Sequence, residues 1–182
     1  MPRVSQAHLD ARRQQIVAAA RARFASHGFA HTSMADIIAE SGLSNGAIYR
    51  YFTSKDQIVI AVCEQGTEVL PRALTAEAVA GFLDHVRTRA RETDHARLVA
   101  QIYAEAAVSP PLAAVVQRQL AAMRAAIAAL VPDPQRPRAG QIAEGFVALC
   151  LSYSQQLAIR GDLDPAPFAA ALMAIIKGQP TA

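Results

Sequence analysis

Tryptophan is absent from this 182-residue chain, and aromatic residues make up only 5% of it. A core built from it must therefore be aliphatic, and the hydrophobic fraction of 52% is large enough to supply one. Cysteine is nearly absent too. Cys63 and Cys150 lie far apart with no C-x-x-C spacing, which excludes a disulfide framework or a cysteine-built zinc site. They read as two buried thiols in a reducing compartment, a redox switch being the other reading. Histidines 8, 27, 31, 85 and 95 make no H-E-x-x-H, and neither G-x-S-x-G nor a phosphate-binding loop occurs. No enzyme class, metal site or cofactor is announced. No uncharged apolar run approaches the roughly 20 residues that cross a bilayer. Arg3, His8, Asp10, Arg12 and Arg13 interrupt any leader-like stretch at the start. The expectation is a cytoplasmic protein with no membrane contact.

Alternating β-branched runs are also scarce, while alanine-rich segments with helical periodicity are frequent, so the fold class expected is all-α, with about nine helices. The length suits one domain, or a small one joined to a larger one. Charge is unevenly placed. Residues 1–58 carry seven basic side chains against four acidic ones, and the remainder carries eleven of each, so the whole net charge of +3 lies in the first third. That is where a polyanion would be met.

The informative stretch runs from Ser33 to Lys55, SMADIIAESGLSNGAIYRYFTSK. Ser33 with Asp36 three residues on satisfies the free amides of a helix start. Gly42 stands where a helix ends at positive φ. Ser44 caps a second short helix with apolar positions Ala47, Ile48 and Phe52, and Ser54 with Gln57 opens a further one. Two short helices joined by a three- or four-residue turn containing glycine have the geometry of a helix-turn-helix DNA reader. An ordinary helical hairpin is the rival reading. Against it, the outward positions Ser44, Asn45, Gly46, Tyr49, Arg50 and Tyr51 include no carboxylate.

In a helix-turn-helix the N-terminal residues of the second helix reach base edges in the major groove. Here Asn45 offers paired bonds to adenine, Ser44 suits several edges, and Gly46 beside Ala47 lets the backbone come close. Tyr49 presents ring and hydroxyl to a thymine methyl or a phosphate, and Arg50 reaches guanine or phosphate. Thr32 and Ser33, at the positive end of the preceding helix, suit another phosphate.

The segment from about Arg12 to Val62 resembles the N-terminal domain of TetR-family transcriptional regulators. The likeness is carried by RRQQIVAAARARFASHG, by FAHTSMADIIAESGLSNGAIYRYF and by the following SKDQ, with the A-I-Y-R-Y-F-x-S-K run specific to that family. The resemblance implies a helix-turn-helix domain over 1–53 and a helical effector-binding and dimerisation domain over 54–182. It implies phosphate clamps at Tyr51 and Lys55. Ala35 departs from the pattern, since many relatives carry a polar or basic residue there that also reads bases.

The same resemblance implies a homodimer on a pseudo-palindromic DNA operator, paired through the last two helices. Ala143, Val147, Leu151, Ser154 and Ala158 form the expected face on one, and Phe168, Leu172, Met173, Ile175 and Ile176 on the other. These positions also read as core. A small-molecule effector enclosed by the middle helices is implied as well. Phe82, His85, Tyr103, Met123, Phe146 and Tyr153 are the candidate lining, each also readable as plain core. With so few acids among them, a neutral or anionic, largely hydrophobic effector is expected. The function expected is a ligand-released repressor. The alternative is a helix-turn-helix regulator, repressor or activator, whose C-terminal domain binds a protein partner or only dimerises.

Along the chain the periodicity predicts a first helix over about 9–27 and a fourth from 54 to about Leu70, with Val69 on its apolar side. Further helices follow over about 76–92, 94–108, 110–131, 138–160 and 165–178, with DPQRPR as a loop. Residues 1–8, including Arg3, read as a loose arm.

Overall fold

The structure, a computed structural model, describes residues 6–65 and 70–178. Among these residues nine α helices occur and no strand: α1 Gln6–His27, α2 Met34–Ser41, α3 Asn45–Tyr49, α4 Lys55–Glu64, α5 Ala76–Thr93, α6 His95–Ala106, α7 Pro110–Ala129, α8 Ala139–Arg160 and α9 Ala166–Lys177. The all-α architecture follows from the helical spacing of the aliphatic residues.

Local bonds fix most boundaries. Thr75 caps α5 by accepting from the Ala78 amide at 3.2 Å, worth about 1 kcal/mol in typical hosts. Gly28 and Gly42 end α1 and α2 at φ +85° and +67°, a conformation in which a side chain would be strained. Asp94 joins α5 to α6 as a single residue at φ 50°. Its short carboxylate, 3.4 Å from Arg97, suits it to that left-handed position.

Three expectations need correction. α1 begins at Gln6, so residues 6–8 are helical and not part of a loose arm. α4 does not reach Leu70; it ends at Glu64, where the Gln65 amide closes the last turn on Ala61 O at 3.2 Å. Val69, like Arg3, lies outside the described residues. The DPQRPR segment is not an open loop but a 3-10 turn over Asp133–Arg138. Its prolines supply the fixed φ that a tight turn tolerates.

Two cores organise the molecule. The first joins Ile16, Phe24, Ile37, Ile48, Phe52 and Ile58 of the N-terminal helices to Leu98 and Ile102 of α6 and Leu112 and Val116 of α7. The second joins Phe82, Ile127, Ile142, Phe146, Tyr153, Leu172 and Ile176, from α5, α7, α8 and α9. α8 runs through the middle and packs on α5, α6, α7 and α9.

Of the residues expected at a dimer face, Ala143, Val147, Ser154, Leu172 and Ile176 are already buried within the protomer. Leu151, Ala158, Phe168, Met173 and Ile175 are half-buried. Phe168 packs on the Tyr153 ring at 4.7 Å, and the Ile175 side chain lies 3.4 Å from where a Cβ on Gly145 would stand. The exposed positions of α8 include Ala148, Ser152, Gln155 and Ile159, the last 85% exposed. Their spacing of four, three and four residues puts them on one helix face.

Candidate nucleic-acid interface and cavity

α3 is held from beneath and open above. Ile48 is fully buried and Phe52 nearly so, while the Arg13 guanidinium lies over the Phe52 ring at 5.3 Å. The amides of Tyr51 and Phe52 fold back onto Ile48 O at 2.9 and 3.0 Å, so the turn continues past Tyr49. Ser44 caps the start, its hydroxyl oxygen accepting from Ala47 N at 3.3 Å. With the underside fixed, Asn45, Gly46, Tyr49 and Arg50 face solvent. Among the described residues Tyr49 is one of three large hydrophobic side chains left exposed, at 46%. Ala47 and Tyr51 are half-buried at the edge.

The flanking positions divide. Ser33 is exposed, but its hydroxyl donates to Asp36 Oδ2 at 2.7 Å and accepts the Asp36 amide at 3.2 Å. The Ser33 amide bonded to the carboxylate is the first cause holding Asp36 below its ordinary pKa, and Arg23, 3.6 Å away, adds to it. Thr32 is not available to a phosphate: it is 1% exposed and its hydroxyl donates to Gly28 O at 2.8 Å. Sequence reasoning missed this because the bond reaches back across the turn rather than into the following helix. Lys55, half-buried at the start of α4, donates from Nζ to Phe29 O at 2.7 Å. That bond holds a cation at a helix end whose dipole disfavours it.

A concavity beside α3 adds residues that sequence reasoning left out. His8, Leu9 and Arg12 from the start of α1 line it with Gly42, Ser44, Arg50 and Tyr51. Two guanidiniums thus flank the turn, and only tertiary packing brings Arg12 there.

The second feature is a cavity of about 360 Å³ between α1, α4, α5, α6, α7 and α8, within the roughly 300–1,000 Å³ of small-molecule sites. Of the expected lining, Phe82, Tyr103 and Met123 are in its wall. The other three are elsewhere. His85 points to solvent. Phe146 packs beside Phe82 in the second core at 6.0 Å. Tyr153 is fully buried, its hydroxyl donating to Leu163 O at 3.1 Å and its pKa pushed up to about 12 by that burial. The wall also contains Leu151 and Ser154, expected at a dimer face, together with Arg21, Cys63, Gln119 and Cys150. Among the described residues no aspartate or glutamate lines it. Cys63 and Cys150 are unbridged and buried; burial pushes the Cys63 thiol up to about 11, so it stays protonated. Among the described residues no cluster of His, Cys, Asp or Glu could hold a metal ion. No helix among them is long and apolar enough to cross a membrane.

A short helix capped by serine, pinned by Ile48 and Phe52 and entered through a glycine turn, defines the class: a helix-turn-helix protein. Residues 16–62, the helix-turn-helix and its flanking helices, match the family described as bacterial regulatory proteins, tetR family. It is similar to the HTH-type transcriptional repressor Rv1474c of Mycobacterium tuberculosis, with 35% identity over 46% of this chain and 44% of that one. The matches to curated relatives thus span less than half of those relatives' length. Over nearly the whole chain the fold is similar to that of Salmonella enterica GusR, with a TM-score of 0.72 and 21% identity, covering 97% of this chain and 98% of that one. It is also similar to the multidrug binding protein EbrR complexed with malachite green, with a TM-score of 0.69 and 19% identity, covering 90% and 96%.

Proposed function

We propose that the chain is a transcriptional repressor that reads duplex DNA with α3, acts in the cytoplasm as a homodimer, and is released by a small, largely apolar effector. The observation that carries this is the two-sided character of α3: Ile48 buried, with Asn45, Gly46, Tyr49 and Arg50 exposed around a polar, carboxylate-free surface. Such a surface meets base edges with Asn45 and Arg50, and phosphates with Tyr51, Lys55 and the Ser44 and Ser33 hydroxyls. The functional division proposed is a reading head over 1–53 and an effector and pairing domain over 54–182.

One reading head spans too few base pairs to find a site in a genome, so two copies on successive major grooves, roughly 34–36 Å apart, are required. The pairing surface proposed is the α8 face of Ala148, Ser152 and Ile159 with the half-exposed residues of α9. The cavity supports a ligand-responsive domain over one that only dimerises, because a domain that only dimerises has no need of it. The lack of a carboxylate among the described residues of its wall favours a neutral or anionic occupant.

Selection of bound duplexes from a random pool, followed by gel shift and sedimentation of the complex, tests the reading. Enrichment of a two-fold symmetric site bound by two chains is expected. A chain that enriches no duplex is not a DNA-reading regulator.

A further inference from the structure

We infer that the effector is an apolar molecule bearing a hydrogen-bond acceptor, and that it releases DNA by drawing Arg21 and Gln119 off the last turn of α4. This rests on the ligand-responsive reading above and adds the chemistry of the ligand and the two side chains that sense it.

α4 is only 10 residues long. Its first residue, Lys55, stands at the reading head, and Val62 and Cys63 at its far end form part of the cavity wall. The carbonyls of a helix's last turn have no partner inside the helix and must find one outside it. Here two of these carbonyls, those of Val62 and Cys63, are reached by side chains of the cavity wall. Arg21 Nη2 donates to Val62 O at 3.2 Å. Gln119 Nε2 donates to Cys63 O at 2.7 Å, and the Cys63 thiol donates back to Gln119 Oε1 at 3.3 Å. The same two side chains that a ligand touches therefore hold the inner end of α4.

The remaining wall decides which ligands can act. Leu98, Ile102, Val116 and Met123 offer apolar contact, which a hydrocarbon satisfies as well as anything else. A ligand shifts an equilibrium only by what it gains in one state over the other. Apolar burial is gained whether or not α4 is held. A carbonyl or carboxylate oxygen gains more when the N–H groups of Arg21 and Gln119 turn towards it, and that turn costs α4 its two bonds.

The test uses the full chain, a duplex selected by it, and two neutral probes of one shape, 2-acetylnaphthalene and 2-isopropylnaphthalene. The ketone is expected to weaken DNA binding within the roughly 5- to 150-fold range of allosteric coupling, and the hydrocarbon to leave it unchanged. Equal effects from the two, including none from either, overturn the acceptor requirement. Gln119→Glu without ligand presents only acceptors to Cys63 O. It is expected to bind the duplex more weakly at neutral pH and to recover as acidification supplies a carboxyl O–H. Unchanged affinity in a variant with wild-type thermal unfolding overturns the role of Gln119. Should that variant not fold, Gln119→Met keeps the length without the donors and is expected to lose the distinction between ketone and hydrocarbon; a retained distinction overturns the inference. Failure of the wild-type chain to select any duplex is a different result, and sinks the regulator reading itself.

Discussion

Gln101 of α6 holds the backbone of Phe29 in the α1–α2 turn. Its Oε1 accepts the Phe29 amide at 2.9 Å, while its Nε2 donates to Phe24 O at 3.2 Å. The other side of the same residue is taken by Lys55, whose Nζ donates to Phe29 O. One residue of the reading head is thus bonded on its N–H by the helix that carries Leu98 and Ile102 into the cavity, and on its carbonyl by the first residue of α4. The carboxamide also lies 3.4 Å from where a Cβ on Gly28 would stand, so a glycine at that positive φ leaves it room.

Replacing Gln101 with leucine leaves the buried Phe29 amide without this acceptor. An unsatisfied buried amide costs about 1–3 kcal/mol. Gln101→Leu is expected to lower the unfolding free energy by that amount and to speed hydrogen exchange of the Phe29 amide. Exchange at the wild-type rate would show that the bond is not formed in solution.

Tyr49 and Lys55 separate reading from support. Tyr49 is half-exposed on a pinned helix, and its ring belongs to neither core. Tyr49→Ala is expected to abolish operator binding with thermal unfolding unchanged. Lys55→Ala also abolishes binding in a chain that still folds, but it loses the bond to Phe29 O, so stability falls by about 0.5–1.5 kcal/mol. Gel shift and melting of both variants give the comparison. Retained binding by Tyr49→Ala counts against α3 as the reading helix.

How much of this was legible depends on the range of the interaction. The caps at Ser33, Ser44, Ser54 and Thr75 are bonds between residues three apart, so residue type and spacing reveal them. The reading surface follows from them, since Ser44 and Ile48 together set which side of α3 faces out. Thr32 escaped, because its partner Gly28 is part of a turn that no local pattern describes. The cavity was half-legible for a different reason. Helical periodicity identifies buried positions without saying whether a neighbouring helix or empty space lies opposite, so Tyr103 and Tyr153 look alike in sequence. Arg21 and Gln119 read as ordinary surface polar residues until α4 is seen to end against them. On α8 both faces of the apolar pattern are used inside the protomer, Ala143 in the second core and Ser154 in the cavity wall.

Gly46 sets stability against recognition. It is exposed on α3, and a Cβ added there would have nothing within 4 Å. Alanine at this position meets no clash and gains up to about 1 kcal/mol of helix propensity. On DNA the same methyl stands between the α3 backbone and the bases. Gly46→Ala is therefore expected to melt higher and bind its operator more weakly. Tighter or equal binding by the more stable variant would mean that the α3 backbone does not approach the groove at Gly46.

Acid should loosen the C-terminal helices at one identifiable contact. Arg87 of α5 grips Asp162, in the α8–α9 connection, through Nε to Oδ1 at 2.6 Å and Nη2 to Oδ2 at 2.7 Å. The guanidinium bonds hold the Asp162 carboxyl down to about 2, below its ordinary 3.8. A carboxylate whose folded pKa is depressed adds stability that is fully present above its unfolded pKa and is lost as pH falls through the folded value. The window therefore runs from about pH 4 down to about pH 2, with Arg87 charged throughout, its own pKa raised by the same pair. Asp162→Asn keeps the shape and removes the titrating group. It is expected to be less stable than wild type at neutral pH and to converge on it as the pH drops through that window, measured by denaturant titration at each pH. The pair is exposed at Asp162, so the difference should also shrink in high salt. Parallel stability curves for the two proteins between pH 4 and 2 would show that this ion pair does not contribute to the acid sensitivity of the fold.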